Sequence, residues 1–339
     1  MAHFTSKPRF RVKRVLSVAS GPRPSIISDL TSLSLGPPFA LTEGMEANMR
    51  NHNRILVALS LSEGRDAAFE RALALAKTSG AELYLLHAIP AGQPFSSGGA
   101  ERLRRSTALR RRAEAAGVTT RRYEQQGDPA EIIVLHADAR SVDLVVMGRD
   151  QRTGWARWRQ RSVAEQVIRR TKRPTLVVGS DDTGDNTVYE NVLVAVDMSP
   201  ASTTLIDAAL QWSGGSARQA TVIHAIDGFS AVGDAWMVPE YRGYVLGDAR
   251  RELATLVPPS VVSDVKLRVA AGPAASTIRA HAADVNADLI VMGRSKRFMH
   301  LGSIAIRVLR RSDRALLVIP PSATRQTIDA EQSVYTRAA

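Results

Sequence analysis

The side chains best equipped for chemistry in this 339-residue chain are arginines, two tryptophans and a few histidines, and their spacing suits contact better than catalysis. Cysteine is absent, which removes disulfides, thiolate nucleophiles and Cys-based zinc sites. The seven histidines include no i, i+4 pair and no HExxH pattern, so no metal site is expected. His87 and His224 are expected at the ends of two strands, and with no Ser or Cys placed beside them the expectation is hydrogen-bonded packing. Arg102, Arg104, Arg105, Arg110, Arg111 and Arg112 share one basic stretch, and Trp155 and Trp158 alternate with arginines. Such groups could meet phosphates and stack on bases, but an arginine run is more often a solvated face. No acid–base pair or nucleophile stands out, and a non-enzymatic protein is expected.

The elements that position these residues come in two copies. The segment from His136 to Arg149 returns from His281 to Arg294, with Asp-Leu-x-Val-Met-Gly-Arg in both. The offset of 145 residues is far longer than a solenoid period and implies two tandem domains. In the first copy, apolar runs at 55–59, 82–89, 144–147 and 175–178, with a further strand near 119–124, alternate with helical stretches. Gly80 should stop the first helix, and Asp128-Pro129 should start another as N-cap and first-turn proline. The second copy repeats the order with strands at 192–196, 221–226, 265–269, 289–292 and 316–319, and Ser199-Pro200 is expected to cap its first helix. Short continuous apolar runs suit strands covered on both faces, as in a parallel sheet flanked by helices. The fold class is therefore α/β, with two doubly wound five-stranded parallel sheets. The boundaries read as a basic, disordered tail 1–49, domains at 50–180 and 191–321 joined by a polar linker 181–190, and a C-terminal tail 322–339.

Charge divides unevenly. The first 28 residues hold six Lys or Arg and no acid, so half of the net +12 lies in a tail rich in Ser and Pro. That tail reads as a bland extension, a nucleic-acid arm, a targeting segment or the product of an upstream start, since Met45 and Met49 both precede the first strand. No apolar run approaches the length of a membrane span, and a cytoplasmic setting is expected.

Between the copies, the second gains eight residues between strands two and four and loses four from the loop after strand four. In doubly wound sheets ligands sit beyond the carboxyl ends of the strands, where strand order reverses, and that shortened loop leaves from one of those ends.

The strand–helix order, with Met-Gly ending strand four and a Gly/Ser-containing loop entering a helix, resembles the universal stress protein family in its tandem form, over about residues 53–180 and 190–320. The resemblance implies strand order 3-2-1-4-5 in each domain and contact between the two fifth strands as an intrachain pseudo-dimer. Leu176–Val178 and Leu316–Ile319 are the apolar edges available for that contact. A single merged sheet, or unrelated architectures for the two halves, would defeat this reading of twin modules. The resemblance also implies a nucleotide site: an Asp ending strand one, then Gly-x-x-Gly, nine residues, and Gly-Ser, whose backbone N–H groups approach phosphates at a helix N-terminus.

The first copy departs from that pattern, with Ser60 for the Asp, Gln151 for the second Gly and Arg161-Ser162 for Gly-Ser. Its Ser60, Ala88, Met147, Gly148, Gln151, Arg161 and Ser162 form a degenerate site. The second copy keeps Asp197, Met292, Gly293 and Gly302-Ser303, but has Lys296 for the second Gly and a shortened spacing. Its expected nucleotide-binding set is Asp197, Ala225, Met292, Gly293, Arg294, Lys296, Gly302, Ser303 and Ile304, with Asp197 on ribose and Arg294 and Lys296 as charged donors to an anion. The implied ligand is ATP or another adenine nucleotide, in the second domain only. The expected function is stress response without catalysis. Two alternatives stand beside it: a nucleotide-independent scaffold for a protein partner, and a nucleic-acid-associated regulator using the basic tail and the Arg–Trp loop. Nucleic acid and membrane are not the expected partners, whereas a homodimer is compatible with the sequence.

Overall fold

The computed structural model describes residues 52–61, 66–92, 98–149, 162–184, 188–227, 233–294 and 304–321, all within the unit Leu41–Ala339. The expected tails, Gln151, Arg161, the Arg–Trp loop with Trp155 and Trp158, Lys296, Gly302 and Ser303 lie outside the described residues.

The first module runs β1 (Arg54–Ala58), α1 (Ala67–Ser79), β2 (Glu82–Pro90), α2 (Gly99–Ala115), β3 (Thr120–Gly127), α3 (Pro129–Ala139), β4 (Leu144–Gly148), α4 (Val163–Arg170) and β5 (Thr175–Val178). The second runs β6 (Val192–Val196), α5 (Ser202–Trp212), β7 (Ala220–Ile226), α6 (Pro239–Thr255), β8 (Lys266–Ala271), α7 (Ala274–Asp284), β9 (Leu289–Gly293), α8 (Ile304–Arg311) and β10 (Ala315–Ile319). Local chemistry fixes several boundaries. Gly80 ends α1 at φ 71, a left-handed conformation that a glycine adopts without a steric cost. Asp128 caps α3, accepting from the Glu131 N–H at 2.8 Å, with Pro129 in the first turn. The matching expectation for Ser199-Pro200 fails. The Ser199 N–H donates to Asp197 at 3.1 Å, and α5 begins only at Ser202, with no side-chain cap.

Each module has the strand order 3-2-1-4-5, all parallel. The expectation of two separate sheets needs correcting. The two edges pair antiparallel, Leu317 opposite Leu176, so the ladder is continuous over ten strands in the order β3-β2-β1-β4-β5-β10-β9-β6-β7-β8. The modules keep their own topology and share one sheet, because β5 and β10 present unpaired backbone groups that pairing satisfies. All four residues of β5 and all five of β10 are buried.

Two apolar layers sandwich the sheet. One gathers α1, α5 and single contacts from α2 and α6 around Phe69, Ile206, Ala113 and Leu253. The other packs α3, α4, α7 and α8 around Ile133, Val167, Ile278 and Val308. Each layer crosses from one module into the other. The polar linker also docks: Arg71 of α1 forms a buried ion pair with Asp182 (Nη2–Oδ1 2.9 Å), and its guanidinium lies 4.5 Å from the Tyr189 ring centre. Trp212 at the end of α5 is buried against Tyr189.

Candidate functional site

The strand order reverses between β1 and β4 in the first module and between β6 and β9 in the second, the switch points at whose carboxyl ends doubly wound folds have their ligand crevice. The two crevices share a frame. The residue after the site position is left-handed in both, Leu61 at φ 52 and Met198 at φ 60. A histidine of strand two braces each carbonyl at the strand-one end: His87 Nδ1 lies 3.0 Å from Leu59 O, and His224 Nδ1 lies 2.9 Å from Val196 O. A carbonyl can only accept, so Nδ1 carries the proton and orients each ring. The expected hydrogen-bonded role of both histidines is what the geometry shows.

The second crevice brings together the described members of its expected set in part. Asp197 follows β6, exposed, with Oδ1 accepting from Ser199. Its Oδ2 makes no hydrogen bond among the described residues. Ala225 is half-buried on the neighbouring strand, Met292 is buried at the end of β9, and Gly293 closes that strand. Ile304 opens α8, half-buried. Leu205 of α5 presses on Gly293: a Cβ there would meet Leu205 Cδ1 at 3.2 Å. In the first crevice Ser60 follows the strand-one end and its N–H donates to Asp66, the cap of α1, at 3.2 Å. Ala88 is half-buried, Met147 buried, and Gly148 exposed, with no atom of the described residues within 4 Å of where a Cβ would stand. By the 137-residue offset between Ser60 and Asp197, the sequence counterpart of Leu205 is the smaller Ala68. Ser162 caps α4, its hydroxyl accepting from Glu165 N–H at 3.2 Å.

Arg294 departs from its expected role. Its Nη1 lies 2.8 Å from three carbonyl oxygens of the first module, those of Ile168, Arg169 and Thr171, at the end of α4. Burial pulls its pKa below the usual arginine value. The charge is met there by the negative end of a helix whose last carbonyls have no intrahelical partner. Arg149 does the reciprocal job, donating to Leu309 O through Nη1 and to Arg314 O at 2.7 Å through Nη2. Their backbone N–H groups are committed as well, to Val178 O and Ile319 O, both at 2.9 Å. Neither residue offers an anion its backbone N–H, and Arg294 is drawn toward the other module. The sequence carried a signal for this. Both copies have arginine directly after Met-Gly while the phosphate pattern around it has diverged, which suits a job unrelated to phosphate.

Further residues that the sequence reading missed sit at the same seam. Arg310 of α8 holds Glu165 of α4 in a bidentate pair, 2.7 Å for both bonds, with the carboxylate buried. The symmetry-related place in the second module is Ile306, and Arg169 Nε is buried without a partner. At the opposite end of the strands, Asp143 accepts from the N–H groups of Asn53 and Arg54, and Asp288 from those of Glu190 and Asn191, at 2.7–3.0 Å. These duplicated aspartates fasten the entry to β1 and β6. The basic helix α2 is largely neutralised by carboxylates: Arg102 pairs with Glu124, Arg104 and Arg105 with Glu101, Arg110 with Glu114, and Arg112 with Glu70.

Two parallel five-stranded modules of order 3-2-1-4-5, joined through their fifth strands and each with a crevice at the reversal, define a tandem nucleotide-binding-type α/β protein. The sequence profile of the Universal stress protein family matches residues 51–179 and again 188–320, so the chain belongs to that family. A universal stress protein of Methanocaldococcus jannaschii is 31% identical over 135 residues, which is 34% of this chain and 78% of that protein. The solved structure of a universal stress protein from Archaeoglobus fulgidus superposes with a TM-score of 0.57 at 22% identity, covering 79% of this chain and 96% of that one. A second A. fulgidus universal stress protein, solved in complex with dAMP, is 21% identical over 37% of this chain and 95% of its own, with a TM-score of 0.31. No helix among the described residues is long and apolar enough to cross a membrane.

Proposed function

We propose that this is a non-enzymatic, cytoplasmic stress-response protein whose second module takes ATP or another adenine nucleotide in the crevice between β6 and β9. The observation that carries the reading is Asp197: an exposed carboxylate at the carboxyl end of β6, fixed through Oδ1, with Oδ2 turned to no protein group among the described residues. Such an oxygen suits a ribose hydroxyl. With Arg294 drawn to α4, phosphate contacts fall to the loop between Arg294 and Ile304, where Lys296, Gly302 and Ser303 stand in the sequence. Equilibrium dialysis of the full chain against ATP, ADP and AMP tests this. Retention of one of them, weakened about tenfold or more by Asp197→Ala, is the expected result. No retention of any nucleotide near millimolar concentration ends the reading.

A nucleotide-independent scaffold is the second reading, favoured by Leu205 crowding Gly293 and by the commitment of Arg294. Mass spectrometry of small molecules released on denaturing freshly purified protein separates the two, since a scaffold releases no adenine nucleotide.

A further inference from the structure

The second module carries an exposed apolar stripe, whereas among the described residues the matching helix of the first module, α2, exposes one large hydrophobic side chain, Leu103. Six large hydrophobic side chains stand exposed among the described residues, and four of them, Met237, Val238, Tyr241 and Tyr244, cluster at the start of α6. This is where the second copy gains residues: a 3-10 turn, Gly233–Met237, leads into α6. Residues 239–244 are exposed on every side, and Leu253 is the one fully buried residue of the helix. In the first module, α2 lies against its own sheet, with Arg102, Ser106 and Ala113 buried and most of its charges paired.

The stripe continues along α6 in polar form. Tyr241, Tyr244, Asp248 and Arg251 are spaced 3-4-3, the interval that keeps side chains on one face of a helix. Asp248 and Arg251 pair within the helix at 3.0 Å and stay largely exposed, 61% and 68%. The order is self-complementary. In an antiparallel pair of α6 helices related by a twofold axis level with Leu246, Tyr241 of one copy lies level with Arg251 of the other, and Tyr244 with Asp248. The first pair are five residues from the axis, about 7.5 Å, and the second two residues, about 3 Å. Each aromatic ring then meets a complementary group: a guanidinium on the Tyr241 face, and a carboxylate accepting from the Tyr244 hydroxyl. Met237 extends the contact past the helix start, level with Thr255. The same patch serves both partners, as a twofold interface requires.

We infer that this face of α6 is the interface through which two copies of the chain associate. The surface is one helix pair wide, so the dimer forms in the micromolar range. The inference is independent of the nucleotide reading.

Sedimentation velocity on the full chain, from about 5 to about 200 µM, tests it. A monomer–dimer equilibrium is expected, and Tyr241→Ser/Tyr244→Ser should weaken it about tenfold or more with an unchanged circular dichroism spectrum, because both side chains are exposed. The chain has no cysteine, so single cysteines report the register. Chains carrying Tyr244→Cys should cross-link through a short bifunctional maleimide to chains carrying Asp248→Cys in a mixture, and more efficiently than either crosslinks to itself. A chain that stays monomeric over the whole range, a dimer indifferent to the tyrosine substitutions, or equal cross-linking in all three combinations overturns the proposal.

Discussion

The two modules agree in most of what holds them together, the Glu165–Arg310 pair being the exception, and differ more widely where they face outward. Arg149 and Arg294 reach across the seam to equivalent carbonyls, Leu309 O and Ile168 O, and Asp143 and Asp288 clamp equivalent strand entries. At the crevices the modules diverge: Ser60 against Asp197, Ala68 against Leu205, an uncrowded Gly148 against a crowded Gly293. They diverge again at α2 and α6, one folded onto its own sheet and the other presenting tyrosines. The lesson is that most of the long sequence repeat records how the modules hold themselves and each other, while the capacity to bind lies in the positions that stopped repeating.

The largest effect is expected from breaking the difference at the glycines. Leu205 is buried, and Leu205→Ala should cost about 2–5 kcal/mol in urea unfolding while opening the space beside Gly293. A rise in nucleotide retention with that variant would mark Leu205 as what narrows the second crevice, and Ala68→Leu should cost the first module about 1–3 kcal/mol by overpacking. Breaking the agreement comes next. Arg294→Ala strips charged donors from three carbonyls and should cost about 2–4 kcal/mol in urea unfolding. A loss under about 0.5 kcal/mol would mean that water replaces the guanidinium at the end of α4.

A smaller, pH-dependent effect is specific to the first module. His136 Nε2 contacts Gln125 Oε1 at 2.7 Å, and its Nδ1 is buried without a partner. Burial, and then the nearby Arg140, hold its pKa below the ordinary 6.5. The native state thus resists a proton that the unfolded chain accepts, so this contribution to stability is present above pH 6.5 and is lost as pH falls toward the depressed value. His136→Gln should flatten the fall in melting temperature over that window, and an unchanged slope would assign the dependence elsewhere. The smallest change in stability is expected for Asp197→Ala. The side chain is exposed and makes one short-range bond, so the loss should stay near about 0.5–1 kcal/mol, which leaves the dialysis comparison interpretable.

What was legible in the sequence was local. The apolar runs placed most of the strands but not β3, which is polar along most of its length; Gly80 and Asp128 announced helix ends by their own backbone chemistry, and the 145-residue repeat exposed the tandem organisation. The Ser199-Pro200 cap misled: the Ser199 N–H donates to Asp197, and the helix starts two residues later than expected, at Ser202. The fusion of two sheets into one was only half readable: the apolar edges were visible, but a ladder between residues some 140 apart has no local signature. Arg294 was assigned by its neighbours in the chain to an anion, and its partners lie more than 120 residues away at the end of α4. The tyrosine stripe could have been found, since its spacing is plain in the sequence. Nothing local says that the start of α6 stands clear of the sheet.

The antiparallel pairing of β5 with β10 has a consequence for anyone dividing the molecule. A half-length chain cut in the linker would keep a complete 3-2-1-4-5 module, yet it would bare a strand that is wholly buried in the full chain, together with an arginine and a helix end that had served the missing half. Because Arg149 and Arg294 play matching parts, each half already holds both the donor and the acceptor that its twin would need. Half-chains should therefore rebuild the join with copies of themselves, β5 against β5 or β10 against β10, and a solution of either half should contain few free monomers.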